Sequence, residues 1–204
     1  PILNMTTPII DRPLFSLISE GIGPDSVSLY ISCSEGASDL ENIRQLGITT
    51  VINCAVNLDI NYVSKENSTY EKGKLLTGNA PFRSHKIGLV DDVGNASEMM
   101  LGGYLILKSV LEQRMPERQS YPVKERGNIL VHCRGGRSRS VALVALYLHL
   151  QHEQNYPTLE DAIAHVRIAR KLHPDEWFET PKKVLIDDAH RAIKSIKILG
   201  INVC

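Results

Sequence analysis

Apolar positions in this chain recur with two alternating periods, and the alternation lays out a fold. Between Ser26 and Cys33 they fall at every second residue, Val27, Leu29 and Ile31, the pattern of a short strand with one face in a core. Its place at the start of the regular pattern predicts an edge strand. From Ala37 to Leu46 the spacing lengthens to three: Leu40, Ile43 and Leu46 share one face of a short helix, with Ser38 or Asp39 able to cap its start and Gly47 to stop it. ITTVINCAV follows at 48–56, uncharged and rich in β-branched residues, as a strand covered on both faces must be.

Residues 57–82 mix Asn, Lys, Ser and Gly with weak periodicity and predict a long excursion without an assignable fold. HKIGLV at 85–90 is another short strand, running into a turn of Asp91, Asp92, Val93, Gly94 and Asn95. After Ser97, Met100, Tyr104, Leu107 and Leu111 line one side of a helix that ends by Met115, because Pro116 restricts its predecessor. NILVHC at 128–133 is a buried strand, RGGRSRS interrupts it, and SVALVALYLHLQHEQ at 140–154 resumes as a strongly apolar helix.

Two further helices complete the pattern. The first has Thr158 as N-cap, Asp161 in capping-box position, and a stripe of Leu159, Ala162, Ile163, Val166 and Ala169. Arg167, Arg170, Lys171 and His173 near its end read as a solvated face. The second covers about 180–198 and stops at Gly200, with Trp177 and Phe178 before it as core aromatics. Alternating strands and helices predict the α/β class.

Charge and composition narrow what such a fold can do. Lys plus Arg and Asp plus Glu are equal at 23 each in 204 residues. A general nucleic-acid binder needs a surplus of positive charge, so no nucleic-acid partner is expected and any anion site must be local. The length fits one domain over 1–204 with a core at about 26–200. Cys33, Cys54, Cys133 and Cys204 have neither a CxxC pair nor zinc-ligand spacing, which argues against a disulfide framework. No apolar run reaches the roughly 18 residues of a membrane span. The opening PILNMTTPIIDRP lacks a signal-peptide pattern, so a soluble, cytoplasmic protein is the expectation.

The informative segment is His132-Cys133-Arg134-Gly135-Gly136-Arg137-Ser138-Arg139-Ser140. A loop between a buried strand and a helix start points successive N–H groups inward, and the helix terminus adds about half a positive charge. Gly135 and Gly136 let the backbone curl, and Arg139 can grip two oxygens of an anion at once. Phosphate, sulfate or a similar oxyanion is the expected occupant. A cysteine at the head of such a cradle feels these dipoles, so the thiolate of Cys133 is favoured at neutral pH.

His132, Cys133, Gly136, Arg139 and Ser140 fill every position of the HCxxGxxR-Ser/Thr signature, and here the chain resembles the cysteine-dependent protein tyrosine phosphatase superfamily. LGITTVINCA at 46–55 and GRSRSVALVALYL at 136–148 are similar to its dual-specificity branch. The resemblance runs from about Leu29 to Phe178, weakest over 57–82. It implies a central twisted mixed sheet flanked by helices in a three-layer domain, with neither metal nor cofactor.

It also implies roles. Cys133 is the nucleophile, Arg139 and the Arg134–Ser138 loop hold phosphate, Ser140 stabilises the leaving sulfur, and His132 supports the loop. The general acid comes from the turn after HKIGLV: Asp92 by the resemblance, with Asp91 as the alternative. Cys54 ends the strand that lies beside that of Cys133 in such a fold. It is a packed thiol or else a resolving cysteine that forms a reversible disulfide. Basic Arg134 and Arg137 occupy positions that are also basic in relatives resembling phosphoinositide and phosphatidylglycerophosphate phosphatases. Three functions therefore stand: a phosphatase of phosphotyrosine and phosphoserine or phosphothreonine proteins, a phosphatase of lipid headgroups, and a phosphate-binding pseudophosphatase.

Overall fold

The structure is a computed structural model, and it describes residues 12–63, 68–69, 71–172 and 180–201. Pro174, Trp177, Phe178, His173 and Cys204 lie outside the described residues. One mixed sheet forms the middle layer, built from β1 (Phe15–Ile22), β2 (Val27–Ser32), β3 (Ile48–Ala55), β6 (Arg83–Leu89) and β7 (Asn128–His132) in the order β1-β2-β7-β3-β6. β1 runs antiparallel to β2, and the pairs β2–β7, β7–β3 and β3–β6 are parallel. A second ladder pairs β4 (Ser68–Thr69) with β5 (Thr77–Gly78) inside the 57–82 excursion.

Strand alternation divides the apolar residues between two cores. Ile129, Val131, Ile52 and Leu89 face the helices α3 (Met99–Glu112), α4 (Arg139–Gln151), α5 (Leu159–Ala169) and α6 (Lys183–Leu199). Leu130, Val51 and Ile48 face the other way, against α1 (Ser34–Ala37), α2 (Leu40–Gln45) and Phe82. The result is the three-layer α/β arrangement. Every residue of α4 except Gln151 is buried, which is why its sequence is apolar all round.

Local signals are met where they are strong. Asp39 caps α2 by accepting from the Asn42 amide, Thr158 and Asp161 form the capping box of α5, and Gly200 closes α6 in the left-handed conformation. β2 is not at the edge. β1, absent from the apolar pattern, pairs outside it, because its contrast is inverted: Ser16 is buried and Leu17 exposed, and the register slips twice against β2. The 57–82 excursion also has anchors. Tyr62 donates its hydroxyl to the Ala37 carbonyl at 2.6 Å and meets Phe82 edge-on at 4.5 Å. Among the described residues no helix is long and apolar enough to cross a membrane.

Candidate active site

Three parallel strands, β2, β7 and β3, end at the same edge of the sheet, and α4 begins there. Open α/β sheets collect their ligands at such carboxyl ends. The loop 133–138 joins β7 to α4, with Cys133 as its first residue and only 3% exposed. Gly136 sits at φ 64°, where a Cβ would lie 2.7 Å from the Ser32 carbonyl oxygen and 2.8 Å from Arg170 Nη2. No other residue type fits this curl.

Cys133 Sγ is 3.2 Å from Ser140 Oγ on the first turn of α4. Burial by itself pushes the Cys133 thiol up. The Ser140 hydroxyl and amide, the Arg139 guanidinium and the Arg137 amide act against burial and hold it below its ordinary value. Arg139 is itself buried, its Nη1 donating to the Leu89 carbonyl at 3.1 Å and to Asn57 Oδ1 at 3.0 Å. Its Nε is buried without an acceptor among the described residues.

The loop is held from several sides. His132 is fully buried, and its Nδ1 lies 3.0 Å from the Cys133 carbonyl, which can only accept, so Nδ1 carries the proton. Burial lowers the His132 pKa against the pull of this bond, leaving a neutral ring. Ser138 Oγ accepts from the Lys182 amide at 3.1 Å, and the Arg134 carbonyl accepts from the Ser34 amide at 2.8 Å.

Above the sulfur lies a cavity of about 260 Å³. It is lined by Cys133, Gly135, Ser138 and Arg139 of the loop and helix start, by Asn57 and Asp91 from other strand ends, and by the basic Arg134, Arg137 and Lys182 beside Thr180. Asp91, rather than Asp92, faces the cavity, and one of its carboxylate oxygens is buried without a partner among the described residues. The Asp92 side chain is 68% exposed, accepts from the Val93 amide at 2.8 Å and lies 3.9 Å from Lys182 Nζ. Parity accounts for the difference: Ile87 and Leu89 point into the α3–α4 core, and Asp91 continues that alternation.

The sequence matches no protein-family model. Solved structures do match. A mouse protein assigned as a dual-specificity phosphatase, in complex with zinc tungstate, is 17% identical with a TM-score of 0.61, over 97% of this chain and 98% of that one. Human DUSP28 is 14% identical with a TM-score of 0.57, over 90% of this chain and 99% of that one. This chain has the dual-specificity phosphatase fold. A human tyrosine phosphatase-like serine/threonine/tyrosine-interacting protein is similar as well, at 19% identity and a TM-score of 0.52, over 83% of this chain and 93% of that one.

On the dual-specificity phosphatase fold, the structure brings Cys133, Arg139, Ser140, His132 and the Arg134–Ser138 loop together, adds Asp91, and leaves Asp92 outside the cavity lining. Cys54 lies beside Cys133: Asn53 and His132 pair in register, so the next residues on each strand are neighbours. The Cys54 thiol is pushed well up by burial and by the charge of Cys133, against the pull of Arg139. Ser32 pairs with His132 from the other side, so Cys33 flanks Cys133 there.

Sequence reasoning missed Asn57, Thr180, Lys182 and Arg170. Asn57 stands just beyond β3, at the strand ends where sites collect. Thr180 and Lys182 come from a remote segment with no local signal. Arg170, read as solvated, is 1% exposed. Its phase could have revealed it, since Ala162, Val166 and Arg170 are spaced by four on the buried face of α5.

Proposed function

We propose that this protein is a metal-independent phosphoric monoester hydrolase acting on phosphoproteins, with phosphotyrosine, phosphoserine and phosphothreonine as substrate class. The observation that carries the reading is a buried cysteine held below its ordinary pKa at the floor of a cavity, with an unpaired Arg139 donor beside it. In the first step the Cys133 thiolate attacks phosphorus in line with the ester oxygen. The S–P bond forms, the P–O bond breaks, and the leaving oxygen takes a proton from Asp91.

The loop amides and Arg139 hold the equatorial oxygens, most strongly as charge builds in the transition state. In the second step Asp91, now a carboxylate, takes a proton from water. The water oxygen bonds to phosphorus and the S–P bond breaks, with the Ser140 hydroxyl donating to the departing sulfur. Inorganic phosphate leaves and the thiolate is restored. His132 supports this cycle by fixing the Cys133 carbonyl at the head of the loop.

A lipid headgroup substrate is the second reading, and the basic rim of Arg134, Arg137 and Lys182 favours it, because several positive charges focus a multiply anionic substrate. Likeness to a phosphatase-like interacting protein supports a third, phosphate binding without turnover. The deciding experiment is hydrolysis of p-nitrophenyl phosphate in the presence of a chelator. Phosphotyrosine and phosphothreonine peptides are then competed against phosphoinositides and phosphatidylglycerophosphate. Metal-independent turnover lost in Cys133→Ser is expected, with peptides preferred. A lipid preference that collapses when Arg134 and Arg137 are neutralised overturns the protein-substrate assignment. Tight phosphopeptide binding without turnover overturns catalysis.

A further inference from the structure

The phosphate loop has a support behind it that the chemistry above does not use. Arg170 caps the C-terminal end of α5 and is 1% exposed. Its Nε donates to the Gly136 carbonyl at 3.0 Å, and its Nη1 donates to Ser16 Oγ at 3.1 Å and to the Pro13 carbonyl. One guanidinium therefore joins α5, the edge strand β1 and Pro13 ahead of it to the middle of the loop. Ordering a long cation in the interior is costly, so its placement needs a return beyond packing.

The geometry of one peptide unit supplies it. The Gly136–Arg137 bond is a trans peptide, so its carbonyl and its N–H point to opposite sides of a rigid plane. Arg170 holds the carbonyl edge. The other edge, the Arg137 amide, faces the Cys133 sulfur and is among the groups that favour its ionised form. Gly136 is the residue whose left-handed conformation makes this plane possible, and any side chain there would strike Arg170 itself.

We propose that Arg170 is a positioning residue for the nucleophile: by gripping the Gly136 carbonyl from behind the loop, it aims the Arg137 amide at Cys133 and keeps the cradle in its anion-binding form. The inference rests on the reading of Cys133 as an ionised nucleophile. Charge adds to the geometry. Burial lowers the Arg170 pKa, while Cys33 and Cys133 pull it back up. The groups facing Cys133 are then Ser140 and Arg139 of α4, Arg170 at the end of α5, Cys54 of β3, and Cys33, which follows β2.

The test is the pH dependence of iodoacetate alkylation at Cys133, read by mass spectrometry of its peptide, in the native protein, Arg170→Met and Arg170→Lys. In Arg170→Met the titration midpoint rises by about one pH unit, and kcat falls by about 10²-fold. Arg170→Lys returns the charge but cannot grip all the oxygens at once. It recovers the midpoint more than it recovers kcat. Thermal unfolding identifies variants that still fold. If Arg170→Met does not fold, Ser16→Ala, which removes one anchor of the guanidinium, gives a smaller shift in the same direction.

A folded Arg170→Met with the native midpoint and native kcat overturns the proposal, as does an unshifted midpoint in a folded Ser16→Ala when Arg170→Met is unfolded. The two readings fail separately. An ionised Cys133 whose midpoint shifts in the variants, in a protein that hydrolyses nothing, removes the phosphatase reading and leaves the positioning role. Hydrolysis by a native protein whose Arg170 variants titrate and turn over unchanged removes only the positioning role.

Discussion

The two walls of the cavity are built on opposite principles. The wall carrying Cys133 is buried and over-determined: Arg170 holds Gly136, the Lys182 amide holds Ser138, the Ser34 amide holds Arg134, and Leu89 and Asn57 hold Arg139. The side carrying Asp91 is a turn with local ties, exposed at Asp92 and Val93. Asn95 accepts from the Val90 amide at 2.8 Å and donates back to the Val90 carbonyl at 2.8 Å, and Asp92 accepts from its neighbour's amide and lies, loosely, by Lys182. An anion cradle works by having its dipoles in place before the charge arrives, so rigidity belongs there. The proton transfer proposed for Asp91 needs access to substrate and water, which a turn lining the cavity allows.

The contrast predicts how each wall breaks. Gly136→Ala is the most severe change, because its Cβ would meet backbone and a buried guanidinium at a left-handed position; loss of p-nitrophenyl phosphate hydrolysis together with a lowered unfolding midpoint is expected. A folded, active Gly136→Ala would show that the loop is less determined than its contacts suggest. Arg139→Ala lowers kcat by about 10²-fold or more while the protein stays folded, measured with the same substrate.

On the acid wall, Asp91→Asn costs about 10²-fold with alkyl phosphates and far less with nitrophenyl phosphate, whose leaving group hardly needs a proton. Asp92→Asn stays within a few-fold of the native rate on both. The opposite ranking in the alkyl phosphate assay returns the acid role to Asp92.

A finer test concerns pH. The folded-state pKa of Cys133 is depressed, so thiolate-dependent turnover persists below the ordinary thiol range and is lost as pH falls through the folded value. The same depression makes ionised Cys133 stabilising above the unfolded-state pKa, a contribution that fades as pH falls through the folded one. Ser140→Ala removes one group that opposes burial, and the acid limb of the kcat/KM profile moves to higher pH. An unmoved limb would assign the ionisation to the loop amides and Arg139 alone.

Much of the site is legible in the chain because its parts are contiguous. His132 to Ser140 is one strand end, one turn and one helix start, and local rules govern each. The acid lies on another strand, where the choice between Asp91 and Asp92 depends on carrying the alternation of Ile87 and Leu89 one step past the strand end. β1 was hidden for a related reason: the polar Ser16 faces inward because Arg170 arrives there from far along the chain.

The sequence by itself determined the α/β alternation, the capped helices and the anion cradle headed by Cys133, since periodicity, capping and loop curvature depend on residues a few positions apart. Tertiary structure decided which aspartate lines the cavity, that Asn57 and Lys182 complete it, and that Arg170 turns inward beneath the loop. These depend on which strands pair and which helix end comes to rest behind Gly136. Such contacts join residues far apart in the chain, and local patterns record at most the phase of Asp91 and Arg170, not what they meet.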